Sequence, residues 1–165
     1  MRAVLLDKVA SVTLNCGLRR DARLGDIYPC NEGDVIAVRV LTSKANYNAL
    51  ELATGRMSTI KQGDILAGAL GHRNALQGYE GRVPAKLKTG DTINLLNLGG
   101  VLGECISYSP LVGAPHECEV IGAVLDFPTL GSRRGVPANI ASKAPSLDTG
   151  LDLKGVPVIA VIGTC

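Results

Sequence analysis

The fold of this chain is decided by a dipeptide that recurs ahead of apolar runs: residues 32–41 read EGDVIAVRVL, residues 62–70 read QGDILAGAL, and residues 89–97 read TGDTINLLN. Gly-Asp also occurs at positions 25–26, so the pair is commoner than random pairing of the 20 Gly with the Asp residues would make it. Glycine adopts positive φ in a tight turn without steric cost, and an Asp carboxylate accepts backbone N–H groups there. We predict that four aspartates, Asp26, Asp34, Asp64 and Asp91, hold turns and have no catalytic role.

The apolar runs are short, rich in β-branched residues and separated by Gly, Pro, Asn and Asp. They cover residues 9–14, 35–41, 65–70, 92–98, 120–125 and 158–162. Many short strands with turn signals between them predict an all-β fold, here a small Gly-rich β-barrel formed by residues 1–127. One short helix is predicted at residues 44–52.

Two of the Gly-Asp pairs belong to a longer match. Residues 61–65 read KQGDI and residues 88–92 read KTGDT, an offset of 27 positions, and each is followed by a strand, a Gly-rich turn and another short strand. Self-similarity at a fixed spacing is typical of duplicated structural units. We therefore predict an internal strand-turn-strand repeat in the barrel.

Gly-Asp turns that lead into strands resemble the GD boxes of the cradle-loop barrels, and similar turns occur in translation-factor-type β-barrels. The resemblance covers roughly residues 30–125. It implies a module that binds a flavin, a nucleotide or a protein, often as an accessory domain of a larger enzyme.

Composition excludes several classes of function. Seventeen basic and 15 acidic residues give a net charge of +2, and aromatic residues make up only 3% of the chain. These values predict no nucleic-acid or membrane partner, since both need a basic surface and single strands need aromatic platforms. Asp7 and Lys8 interrupt the first apolar run, so we predict no signal peptide and a cytoplasmic location. The five Cys have no CxxC spacing, which predicts reduced thiols and no metal site.

The composition changes after residue 127. Residues 128–155 have little periodicity and are predicted to be a linker or an extended wrap. Residues 156–165, VPVIAVIGTC, form an apolar run that ends in Gly163 and Thr164. This run resembles the strand that precedes the phosphate loop of a P-loop NTPase, truncated just before that loop. The alternative is that residues 158–162 are the last strand of the barrel.

The polar groups are densest in residues 68–81, between two predicted strands. Glycines let a backbone approach a ligand closely, and an Arg guanidinium binds phosphate or carboxylate in a bidentate way. These residues predict a ligand-binding loop, with a plain polar hairpin tip as the alternative. The residues predicted to bind the ligand are Gly71, His72, Arg73, Asn74 and Gln77.

These observations lead to three alternative hypotheses about function. The first is an accessory or regulatory domain of a larger P-loop NTPase, with the missing C-terminal domain as partner. ATP or GTP with magnesium would bind in that domain, so the chain itself would have no cofactor, no catalytic residue and no NTPase activity. The second is a self-contained barrel that binds a small anionic ligand or nucleotide near His72 and Arg73. The third is an interaction or assembly module, with self-association as one form of it.

Overall fold

A computed structural model describes residues 1–26, 30–129, 131, 134–144, 154–155, 157 and 159. The fold is all-β, as predicted, with two short 310 helices, Ser11–Cys16 and Ile140–Lys143. The strands within the described residues are β1 (Arg2–Leu5), β2 (Lys8–Val9), β3 (Asp21–Gly25), β4 (Val35–Val40), β5 (Ala49–Glu51), β6 (Met57–Thr59), β7 (Ile65–Leu70), β8 (Tyr79–Arg82), β9 (Thr92–Leu95), β10 (Val101–Tyr108), β11 (His116–Asp126) and β12 (Val136–Pro137).

Five strands form a closed circuit of hydrogen-bonded pairs. Strand β4 pairs with β7, β7 with β10, β10 with β9, β9 with β11, and β11 with β4 again. All of these pairs are antiparallel except the short parallel contact between β7 and β10. Strands β1 and β3 extend the sheet from β11, and β8 extends it from β10.

The apolar runs are continuous because both faces of the central strands are buried. On β4, Ile36, Val38 and Val40 belong to the core inside the circuit. The alternate residues Val35 and Ala37 belong to a second core outside it, which is covered by β1, β3 and the 310 helices. A strand has a side-chain period of two, so a run without polar positions indicates burial on both sides.

Three of the Gly-Asp pairs close the same four-residue turn. In each, the Asp N–H donates to the carbonyl of the residue three positions earlier, and the N–H of that residue donates to the Asp carboxylate. The glycine between them has positive φ, as a type II turn requires. The turns are residues 31–34, 61–64 and 88–91, with N–H to carboxylate distances of 2.9, 2.7 and 2.9 Å and glycine φ of +85°, +91° and +93°.

These turns also bind the neighbouring strand. The Gly N–H donates to the carbonyl of one residue there, and the Asp carbonyl accepts the N–H of the same residue. That residue is Leu70 for the first turn, Val40 for the second and Val120 for the third. The turn before β4 therefore holds the end of β7, and the turn before β7 holds the end of β4.

The fourth pair, Gly25 and Asp26, stands at the end of a strand. Gly25 is the last residue of β3 and pairs with Ala123. Asp26 follows that strand, and the next residues, 27–29, lie outside the described residues. A strand position suits this glycine because a Cβ there would lie 3.0 Å from the side chain of Leu125.

One sequence prediction was wrong in detail. Residues 9–14 are not a strand, because the chain leaves β2 at Val9 and enters the 310 helix. The two KxGDx segments form matching turns, each followed by two strands as predicted, and the two pairs of strands differ in how they pair. Strands β9 and β10 form a hairpin, whereas β7 pairs with β4 and β10, and β8 pairs with β10.

Residues 136–143 lie against the barrel. Strand β12 pairs with the end of β11, and Val35 N–H donates to the carbonyl of Ala138 at 2.8 Å. The Asn139 amide donates to the Asp34 carboxylate at 2.9 Å, which ties this segment to the first Gly-Asp turn. Among the described residues, no helix has the length and apolar character needed to cross a bilayer.

Candidate functional site

The loop at residues 71–78 is closed at its base by two backbone hydrogen bonds. Arg73 N–H donates to the Gly81 carbonyl at 2.8 Å, and Gly81 N–H donates to the Arg73 carbonyl at 2.9 Å. Of the five residues predicted to bind a ligand, Gly71 is buried and Arg73 is partly buried. The side chains of His72, Asn74 and Gln77 are exposed. The structure thus brings Gly71 and Arg73 towards the body of the protein, and Arg73 meets β8 there.

Among the described residues, Arg73 has no partner for its charge. Its Nε is buried without a hydrogen bond, and its side chain makes no hydrogen bond or ion pair within the part of the chain that the structure describes. The guanidinium packs over Gly78, since a Cβ at that position would lie 3.0 Å from Arg73 Nη2. A buried donor without an acceptor is costly, so an acceptor for this nitrogen would be stabilising.

Tyr79 follows this loop and is the first residue of β8. It is 1% exposed, and its ring packs edge to face on Tyr47 with 5.4 Å between centroids. Burial raises the pKa of the Tyr79 phenol to about 12; Tyr47 and Cys105 add to the rise, and the Arg73 charge opposes it. The phenol is therefore protonated at neutral pH.

Lys44 lies over Tyr79. Its Nζ is 2.5 Å from Tyr79 Oη and 5.1 Å from the ring centroid. The same nitrogen is 3.1 Å from the Val112 carbonyl oxygen and also contacts that of Ala114. Burial lowers the pKa of the Lys44 amine. The lysine forms part of a surface depression lined by residues 44–46 and 110–114.

The helix predicted at residues 44–52 is wrong. Tyr47 has a φ of +54°, which a right-handed helix does not allow, and Ala49–Glu51 forms β5 instead. The contacts of Lys44 and Tyr47 with Tyr79 account for this difference, since tertiary packing overrides helix propensity. Positive φ is uncommon for a bulky residue and costs about 1–2 kcal/mol.

His116 is another buried ionisable residue. It is 2% exposed, and its Nδ1 lies 3.1 Å from the Thr42 carbonyl oxygen. Because a carbonyl only accepts, Nδ1 carries the ring hydrogen and Nε2 has a free lone pair. Nε2 is buried and has no hydrogen-bond partner among the described residues.

The neighbouring Cys118 does not complete a metal site. Its Sγ lies 3.9 Å from the His116 carbonyl oxygen, and burial raises the pKa of the thiol to about 12. The structure shows no group of three His, Cys, Asp or Glu side chains that could hold a metal ion within the described residues.

The buried His116 predicts a fold that is sensitive to acid. Burial lowers the pKa of its imidazole from 6.5; the charge of Lys44 lowers it further, and the bond to Thr42 opposes the shift. Unfolding therefore takes up a proton below about pH 6.5, and the free energy of unfolding should decrease as the pH falls from there to the folded pKa. Urea titrations across this interval would measure the slope.

Two variants separate His116 from other acid-labile groups. His116→Asn should flatten the pH dependence of the unfolding free energy in this interval, because the titrating group is gone. His72→Asn should leave it unchanged, because His72 is exposed. Equal slopes in the wild type and in His116→Asn would contradict the assignment.

Comparison with known proteins gives no family for this chain. A scan against protein families, a search of curated proteins and a search of solved structures each gave no match to this chain. The resemblance to GD-box barrels and to a P-loop NTPase therefore stays a prediction. Gly163 and Thr164, which carry the phosphate-loop part of it, lie outside the described residues.

The assembly interpretation depends on exposed apolar side chains. Leu76 and Leu111 are 99% and 79% exposed, on segments joined by a hydrogen bond from Ser109 N–H to the Gly78 carbonyl. Individual exposed leucines are ordinary on folded proteins and do not by themselves define an interface. Self-association stays a prediction.

The sequence analysis singled out Arg73 but did not group it with Lys44, Tyr47, Tyr79 or His116. Tyr79 lies inside the polar segment that was singled out, and the chain has only four Tyr and one Phe. A buried tyrosine needs a partner for its hydroxyl. That requirement was the one available signal for Tyr79, while nothing local pointed to Lys44 or His116.

Proposed function

We propose that this chain is a ligand-binding β-barrel module that takes a small anionic molecule beside Arg73. The observation that carries the proposal is the part-buried Arg73 guanidinium, whose Nε has no acceptor within the described residues. Guanidinium groups bind carboxylates and phosphates through paired N–H donors. An anion at this position would supply the missing acceptor.

The surroundings favour a negative charge. Lys44 and Arg73 both lie close to Tyr79, and His72 is exposed at the start of the same loop. The loop base is held by the Arg73–Gly81 backbone pair, so the guanidinium is positioned before a ligand arrives. Preorganised donors lose less conformational entropy on binding than mobile ones do.

Titration calorimetry tests the proposal with inorganic phosphate, ATP and glyoxylate as probes. We expect at least one probe to bind the wild type. Arg73→Gln should weaken that binding by at least about tenfold, since a hydrogen bond to a charged group contributes roughly 1.5–3 kcal/mol. Gln keeps much of the side-chain length but removes the charge.

Arg56→Gln is the matched control, because Arg56 is an exposed arginine outside the loop. It should bind the same probe as tightly as the wild type does. The proposal fails if none of the three anions binds at millimolar concentration, or if Arg73→Gln and Arg56→Gln bind equally well while both remain folded by circular dichroism.

A further inference from the structure

Strand β1 is an end strand of the main sheet, and one of its two sides has no partner strand in the described part of the chain. It pairs only with β3. Just after β1, Leu6 N–H donates to the Arg20 carbonyl at 2.7 Å, so the residues in step with Leu6, at positions 2 and 4, bond to β3. Successive residues of a strand direct their N–H and C=O groups to opposite sides. The N–H and C=O groups of Ala3 and Leu5 therefore point outward from the sheet.

The free side of β1 lies in line with β7. Two residues after β1 the chain pairs with β7 on this same side, because Asp7 N–H donates to the Ile65 carbonyl at 2.7 Å and β2 runs parallel to β7. Ile65 is the first residue of β7, and its own N–H donates to the Asp7 carboxylate at 2.8 Å. The pairing of β7 ends at that point. A strand added beside Ala3 and Leu5 would therefore extend a line of backbone hydrogen bonds that already exists.

This side of β1 is accessible. Ala3 is exposed, and Leu5 is 64% exposed. The strand contains no proline and its register with β3 has no bulge, and these are two of the devices that protect sheet edges from further pairing. A cleft of about 340 Å³ adjoins the start of the strand and has room for a side chain of an added segment. It is lined by residues 1–2, 24–26, 89 and 121.

The charges beside this side favour an acidic partner. Arg2 and Arg20 each donate to a backbone carbonyl, which leaves the charge of both uncompensated. Arg23 is exposed and lies opposite Ala3 on β3. None of these three arginines forms an ion pair with a carboxylate of the described residues. A second copy of β1 would bring two such sets of arginines together, so like-charge repulsion disfavours self-pairing.

We propose that the free side of β1 binds an acidic segment of a partner protein, which adds to the sheet as a further strand. Hydrogen bonds to the backbone of Ala3 and Leu5 give affinity that does not depend on the side chains of the segment. Carboxylates of the segment give specificity through the three arginines. The surface uses no residue of the loop at 71–78, so the inference does not rest on the anion site at Arg73.

Fluorescence anisotropy with labelled peptides tests the proposal on the full chain. One peptide alternates Val and Glu, and a second alternates Val and Lys. We expect the Glu peptide to bind at least about tenfold more tightly than the Lys peptide, because only its charge complements the arginines. The Glu peptide with every backbone nitrogen methylated keeps the charge but cannot donate backbone hydrogen bonds. It should bind about tenfold more weakly than the unmodified peptide.

Ala3→Pro tests the edge itself, because proline removes an N–H that faces outward and leaves the bonds to β3 in place. It should weaken binding of the Glu peptide by about tenfold. Thr59→Pro is the matched control on β6, another end strand. Thr59 N–H also faces outward, since the N–H of the next residue, Ile60, donates to the Asn48 carbonyl across β5 and β6. This variant should bind as the wild type does.

Amide hydrogen exchange by NMR locates the contact in the unmodified protein, whether or not Ala3→Pro folds. The Glu peptide should slow exchange at Ala3 and Leu5, while Val4, whose N–H already faces β3, should change little. The proposal is overturned if these two amides are not protected, if the Lys or methylated peptide binds as tightly as the Glu peptide, or if Thr59→Pro weakens binding as much as Ala3→Pro. A dimer in light scattering that Ala3→Pro dissociates would also overturn it, since a second copy would then occupy the edge.

Discussion

Replacing Gly100 with alanine is expected to destabilise the protein by about 3 kcal/mol or more. Gly100 has a φ of +95°, where an L-residue costs about 1–2 kcal/mol. A Cβ there would also overlap the Cβ of Ala10, which is fully buried. Forcing a methyl group into a packed site adds about 1–3 kcal/mol. The free energy of unfolding from urea denaturation measures the loss.

Gly55→Ala is the control for the backbone part of this cost. Gly55 has a φ of +79° and no atom within 4 Å of the added Cβ, so only the conformational penalty applies. The difference between the two variants isolates the overlap with Ala10. Equal losses of stability in the two variants would mean that the backbone around Gly100 moves enough to accommodate the added methyl group. That result would contradict the close packing of Ala10 against Gly100.

The second large effect is expected for Asp34→Ala, at about 2–4 kcal/mol. The Asp34 carboxylate is buried and accepts three hydrogen bonds, from the backbone and side chain of Asn31 and from the side chain of Asn139. Removing it leaves these donors without their acceptor, and each unsatisfied buried group costs about 1–3 kcal/mol. Denaturant titration gives the size of the effect.

Asp91→Ala tests whether burial or the turn itself determines this loss. Asp91 closes the same turn and accepts from Lys88 N–H at 2.9 Å, but it is less buried than Asp34. Water can replace its lost contact, so we expect about 0.5–1.5 kcal/mol. A larger loss for Asp91→Ala than for Asp34→Ala would show that the link between Asp34 and Asn139 contributes little.

Local sequence patterns predicted the strands that are buried on both faces. Residues 65–70 were predicted with the bounds that β7 has, because both faces of that strand are buried and every position is apolar or glycine. Strand β8 is not among the apolar runs of the sequence, since it contains Glu80, Gly81 and Arg82. Its conformation is set by pairing with β10. That partner begins 22 residues away in the chain, beyond any local window.

The residues of the candidate site also divide into those with a local sequence signal and those without one. Arg73 was singled out because polar and glycine residues are concentrated around it in the chain. Lys44 and His116 are 35 and 74 residues from the groups they contact, Tyr79 and Thr42 respectively. Their polar atoms meet only because the strands of the barrel bring distant segments together at one end. A lone lysine in a stretch that favours helix carries no local signal of that contact.

The sequence by itself determined the all-β class, the positions of β4 and β7 and the chemistry of the three Gly-Asp turns. These features depend on side-chain periodicity and on the φ of single residues, which are local properties. Only the tertiary structure decided the closure of β4, β7, β10, β9 and β11 into one circuit and the meeting of Lys44 with Tyr79. Both require contacts between distant segments, whose free energy depends on the packing of the whole core and not on any one stretch of chain.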